Sequence, residues 1–197
     1  MSLWERLEAW RLAWFGPQAD SELNTWLKGR SWYVRVPVLL FCLWQMFGWF
    51  GDADRHTIFF GLNLGIHEAG HLLTTGFGMI VSAAMGSGLQ CLAPVAAAAL
   101  FLRQRDFFAL GLCLTWEASN LFYVAWYVND AVKMEGQLLS VGGGDAYHDW
   151  NFLLDQFGML GQEGWIANLI RLVAYACAIG GVLWSAWIMR RMALANP

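Results

Sequence analysis

The sequence predicts an all-α fold, a polytopic bundle of transmembrane helices, and three observations predict it. Of the 197 residues, 58% are hydrophobic and only 14% charged, where a soluble domain carries roughly a quarter charged residues. Several apolar runs reach about 20 residues, the length with which an α-helix crosses ~30 Å of hydrocarbon. Aromatic residues are abundant, with 13 Trp and 13 Phe. The formal charge of -3 and the lack of a long basic run exclude a nucleic-acid partner.

Residues 1–30 read as an N-terminal interfacial region. Leu3, Leu7, Trp10 and Trp14 recur at helical spacing over residues 2–15, with Glu5, Glu8 and Arg11 elsewhere. Such a short, Trp-rich amphipathic helix either lies in the membrane interface or packs on the protein's own cytoplasmic face. Gly16-Pro17 ends it, and a second short helix is expected from Ser21 to Gly29. The charged, Trp-rich opening does not read as a cleavable signal peptide.

Residues 31–197 hold the spans, expected at Trp32 to Phe50, Thr57 to Ile80, Phe107 to Val128 and Trp165 to Met189. The run from 81 to 102 is uncharged and long enough to be a fifth span, but its first half is small and weakly hydrophobic. Charge bears on the choice. Arg6, Arg11, Lys28, Arg30 and Arg35 put the N-terminus in the cytoplasm. If residues 81–102 re-enter without crossing, Arg103, Arg105, Arg190 and Arg191 join them there. The 129–163 loop, with Lys133 against six acidic residues, then lies outside. Four spans plus a re-entrant segment is therefore the favoured count. The same bias points to a bacterial inner membrane. Cys42, Cys91, Cys113 and Cys177 sit in separate apolar runs without a Cys-x-x-Cys pair, as packed thiols do.

The chemistry concentrates in Gly65-Ile66-His67-Glu68-Ala69-Gly70-His71. Residues four apart share a helix face, with ~5–6 Å between β-carbons, so His67 and His71 can grip one metal ion. Glu68 follows the first ligand, where its carboxylate can act as general base on an activated water. Ionisable groups deep in a span cost of order 2.5–3.5 kcal/mol for an acid, and a metal gives three of them a reason to be there.

A His-Glu-x-Gly-His element within a transmembrane helix of a small polytopic protein resembles the site-2 protease family of intramembrane zinc metalloproteases. The resemblance implies a helical membrane core, one Zn2+ per chain, and hydrolysis of peptide bonds in or beside the bilayer. The substrate would be a membrane protein or transmembrane peptide, and other membrane subunits are conceivable partners. The family's third ligand is an aspartate in an Asn-Pro…Asp-Gly pattern. This chain has no Asp-Gly, and its one Asn-Pro is Asn196-Pro197.

The third ligand is therefore sought elsewhere. His148 and Asp149, just after the triple glycine 142–144, are both competent. Glu117 lies mid-span at a matching depth, and Asp130 at the end of the same span is a further alternative. Gln90 and Asn120 can hydrogen-bond a substrate backbone or oxyanion, or else join helices. His56 is expected in solvent, and Arg171 to snorkel or pair with a loop carboxylate. Two functions remain open: a zinc endopeptidase, and a non-catalytic scaffold or assembly subunit of a larger membrane complex. Four histidines are too few for a di-iron hydroxylase.

Overall fold

The computed structural model describes residue 5, residues 17–136 (backbone alone for 17–20) and residues 148–196. Among the described residues all regular structure is helical. In chain order the helices are α1 (Pro17–Leu27), α2 (Val36–Gly51), α3 (Phe60–Thr74), α4 (Met79–Arg103), α5 (Ala109–Asn129), α6 (Asp149–Gln156) and α7 (Glu163–Ala195). A single 3-10 turn, Tyr33–Arg35, leads into α2. Three stretches are long and apolar enough to cross a membrane: Tyr33–Gly51, Met79–Arg103 and Glu163–Ala195. The helix expected over residues 2–15 lies outside the described residues apart from Glu5, which is helical and exposed. The second short helix starts at Pro17, where proline's missing N–H costs nothing, and not at Ser21.

The expected span Phe107 to Val128 forms α5 but is not among the three stretches long and apolar enough to cross, and one further expected span and the segment expected to re-enter also differ from the structure. The helix expected over Thr57 to Ile80 is only 15 residues, Phe60–Thr74, or about 22 Å, too short for ~30 Å of hydrocarbon. It stops because Gly76 and Gly78 take φ of +103° and +94°, which turn the chain straight into α4. The run favoured as re-entrant is instead one continuous helix of 25 residues, Met79–Arg103. Its small residues serve packing. A β-carbon on Gly70 would stand 2.1 Å from the Met85 carbonyl oxygen, so α3 and α4 touch backbone to backbone. Pro94 sits inside α4 and leaves the Gln90 carbonyl, one turn earlier, without its helical donor. Asn120 of α5 supplies one, donating from Nδ2 to Gln90 O at 2.9 Å.

α5 and α7 form the central pair. Added β-carbons on Gly111 and Gly181 would meet, respectively, Gly181 O at 2.8 Å and Gly111 O at 2.7 Å. More than half of α5 is buried, so it need not be as apolar as a lipid-facing span.

Side-chain contacts fix the direction of every helix. At one end Arg105 pairs with Glu22 (3.3 Å), Arg191 donates to Asn24 (2.6 Å), and Asn196 Oδ1 accepts from Gly29 N (2.7 Å). Trp184 Nε1 donates to Phe107 O there (2.6 Å), and Leu23, Leu27, Phe108, Ile188 and Met192 close a core. This end thus gathers α1, the start of α2, the end of α4, the start of α5 and the end of α7. At the opposite end Arg171 reaches Asp54 at 2.8 Å, and Phe50 stacks on Tyr175 at 5.1 Å. After Asp54 the chain turns back into the bundle, where Phe59 lies 5.7 Å from Phe41 and 6.4 Å from Trp116. From that interior point α3 runs out again, and His71 meets Ser82 near the start of α4.

Candidate metal centre

Helical spacing puts His67 and His71 on the α3 face that packs against α4. Their ligand nitrogens and a Glu68 carboxylate oxygen all lie within 4.8 Å of one another. A third element completes the group. Asp149, the first residue of α6, brings Oδ2 to 3.0 Å from His67 Nε2 and 3.2 Å from His71 Nε2. Tetrahedral zinc with bonds of ~2.0–2.2 Å separates its ligand atoms by roughly 3.3–3.6 Å, so the two edges to Asp149 Oδ2, at 3.0 and 3.2 Å, lie a little short of what the ion needs.

The outer contacts decide which nitrogens face inward. His71 Nδ1 lies 2.9 Å from the Ser82 carbonyl oxygen, and His67 Nδ1 lies 3.2 Å from Gln90 Oε1. Both partners accept, so each ring carries its hydrogen on Nδ1 and turns a lone pair at Nε2 toward Asp149. Two lone pairs and a carboxylate oxygen then converge in a buried space. Only a cation among them, or a second proton on each ring, relieves the repulsion. The opposite wall is bare: a β-carbon on Gly86 would stand 2.7 Å from Nε2 of both histidines. Donor set, spacing and clearance all fit a metal ion.

Asp149 is held from several sides. Its backbone N–H donates to Tyr127 Oη (3.2 Å), whose hydroxyl lies 3.4 Å from Asp149 Oδ2. Trp150 Nε1 donates to Ser87 Oγ at 3.1 Å, seating α6 on α4. Burial pushes the Asp149 carboxyl up; where no cation is bound, hydrogen bonds and positive charge from doubly protonated His67 and His71 rings outweigh it and hold the pKa below its ordinary value. Asp149 is therefore ionised and competent as a ligand.

The remaining sequence candidates have other work. His148 is no ligand: its Nδ1 accepts from Asn151 N at 3.2 Å and caps α6, while Nε2 sits 3.4 Å from Asp130. Burial lowers its pKa against the pull of Asp130, which keeps the capping nitrogen free to accept. Asp130 accepts from Glu135 N (3.0 Å) and Gly136 N (2.9 Å), closing the turn after α5. Glu117 makes no hydrogen bond to either histidine, and its Oε2 is buried without a partner. Asn120 Nδ2 donates to the Gln90 carbonyl and Gln90 Oε1 lies against His67 Nδ1, so both amides join helices, while Gln90 Nε2 and Asn120 Oδ1 are buried without a partner. His56 is exposed, as expected, with its ring stacked 4.2 Å from Phe60.

Sequence reasoning missed Gly86, Ser82 and Tyr127. Gly86 had a signal, a glycine in a run of small residues inside a long apolar segment; the other two had none. Comparison of the chain with family models, with curated proteins and with solved structures finds no match.

Proposed function

We propose that this chain is an intramembrane zinc endopeptidase, a small and divergent relative of the site-2 proteases, that cleaves peptide bonds in or beside a bacterial inner membrane. The observation that carries the reading is the convergence of His67 Nε2, His71 Nε2 and Asp149 Oδ2 beside the cleared wall at Gly86. Those three residues would hold zinc, with Asp149 standing in for the aspartate of the missing Asp-Gly pattern. Zinc, when bound, supplies Lewis-acid polarisation of a carbonyl and acidification of a water.

The chain's own residues do the rest. Glu68, next to the first ligand and half-buried, takes the proton of the attacking water and returns it to the leaving amine. Gln90 and the Ser82 carbonyl hold the two imidazoles in one tautomer, and Tyr127 holds Asp149. The substrate is a membrane-protein segment, unwound at the scissile bond so that its carbonyl is accessible.

Elemental analysis of the detergent-purified protein tests this reading. About one zinc per chain is expected in the unaltered protein and in Glu68→Gln, and none in His71→Ala or Asp149→Ala. Glu68→Gln should abolish peptide hydrolysis. Zinc without any function sensitive to Glu68→Gln would favour the scaffold reading, and no metal even after zinc is supplied would remove both the ion and the protease.

A further inference from the structure

The chain reaches the metal centre by an unusual route. It travels along α2 to Asp54, which pairs with Arg171, and then doubles back so that Phe59 meets Phe41 and Trp116. It leaves again along α3, whose 15 residues end beside the first turn of α4. Residues 52–56 and 75–78 therefore sit at the same end of the bundle, and only the stretch between them penetrates it. α4 then runs the full distance to Arg103 and Arg105, which lie by Glu22 at the other end.

Charge separates the two ends. Lys28, Arg30 and Arg35, Arg103 and Arg105, and Arg190 and Arg191 all gather at the end that holds α1 and the close of α7, against Asp20, Glu22 and Asp106. The end holding α6 has Asp52, Asp54, Asp130, Glu135, Asp155 and Glu163 against Arg55, Lys133 and Arg171. Basic residues concentrate in cytoplasmic segments, so the α6 end faces out. The metal centre belongs to that end: His67 packs 5.9 Å from Tyr127, about 3 Å of helix rise from the end of α5 and about 27 Å from its start.

We propose that residues 52–74 form a re-entrant hairpin entered and left from the extracytoplasmic face, so that the His67–His71–Asp149 centre serves peptide segments presented from outside the cytoplasm. Four helices, α2, α4, α5 and α7, make the crossings. That number is the one the sequence favours, with the re-entrant element moved from residues 81–102 to residues 52–74. Leu72, Leu73 and Phe77 are at least 69% exposed at the tip of α3 and its following turn, which suits a mouth lying in the outer leaflet and an apolar, membrane-anchored segment as substrate. The substrate side of this inference rests on the metal-centre reading; the topology does not.

Cysteine labelling in intact cells tests it, using a membrane-impermeant maleimide on Asp52→Cys, Thr75→Cys and Gln104→Cys. All three positions are exposed. The native cysteines, two buried and two half-buried, set a background measured on the unaltered chain. The expected result is that the first two variants label in intact cells at least about tenfold above background, and the third only after lysis. Labelling of the Asp52 and Thr75 variants from opposite sides would mean that α3 crosses, and labelling of the Gln104 variant from outside would reverse the orientation; either overturns the proposal. Glu135→Cys and Arg190→Cys give a second pair should a variant fail to accumulate. Zinc measured on the same preparations keeps the two readings apart. The expected labelling without zinc retains the topology and removes the metal centre, and the opposite labelling with zinc does the reverse.

Discussion

A β-carbon added to Gly86 would stand 2.7 Å from Nε2 of His67 and from Nε2 and Cε1 of His71. Neither ring can retreat freely, because Gln90 and Ser82 hold the far nitrogens. Gly86→Ala should therefore lower zinc affinity by at least the 10–100-fold typical of disturbed ligand support, read by competition with a chromophoric chelator, while the helical circular-dichroism signal stays unchanged. The two histidines were legible in the sequence because a spacing of four puts them on one helix face, and Glu68 because it follows the first of them. The choice between His148 and Asp149 was not. It turns on which residue caps α6, and a histidine accepting through Nδ1 is an unusual cap where an aspartate would be the ordinary one. Gln90 and Asn120 were visible as buried amides, but their partners, a ring nitrogen on α3 and a carbonyl on α4, are set by packing that no local pattern reveals.

Between elements, the pairing of Pro94 with Asn120 makes a self-contained test. Proline removes the donor that would serve the Gln90 carbonyl, and Asn120 replaces it across the α4–α5 contact. Asn120→Leu should destabilise the protein by about 1–3 kcal/mol, the cost of a buried acceptor left unpaired. Pro94→Ala in the same chain should recover much of that loss by restoring the helical bond, and a double-mutant cycle on thermal unfolding in detergent reads the coupling. Equal losses in the single and double variants would show that Asn120 acts otherwise. The helices themselves were read well where apolar length decides, as for α2 and α7. They were misread where small residues decide. The Ser82 to Gly88 stretch looks weakly hydrophobic because it is built to let Gly70 and the two imidazoles approach, and the expected Thr57 to Ile80 helix is cut at Gly76 and Gly78 by a turn.

Across the whole molecule, α5 and α7 are the axis to which the other helices attach, and their contact depends on Gly111 and Gly181. Gly181→Val would drive side-chain atoms into Gly111 O and Thr115, at 2.7 and 2.8 Å from the β-carbon. The expected cost is about 1–3 kcal/mol or more, seen as a lower unfolding temperature with loss of zinc following it and not preceding it. The overall charge asymmetry was legible from sequence, since basic residues need only be counted. Which helix turns back was not, because Phe59 finds Phe41 and Trp116 only in the folded bundle. The division of the centre between α3 and α6 has a temporal consequence. His67 and Asp149 are 82 residues apart, so at ribosomal rates of ~5–20 residues per second the last ligand emerges roughly 4–16 s after the first. Throughout that interval a nascent chain carries two histidines and the general base but no closed coordination triangle. On the proposed reading the site cannot hold its metal, and so cannot act, until Asp149 has joined the two histidines.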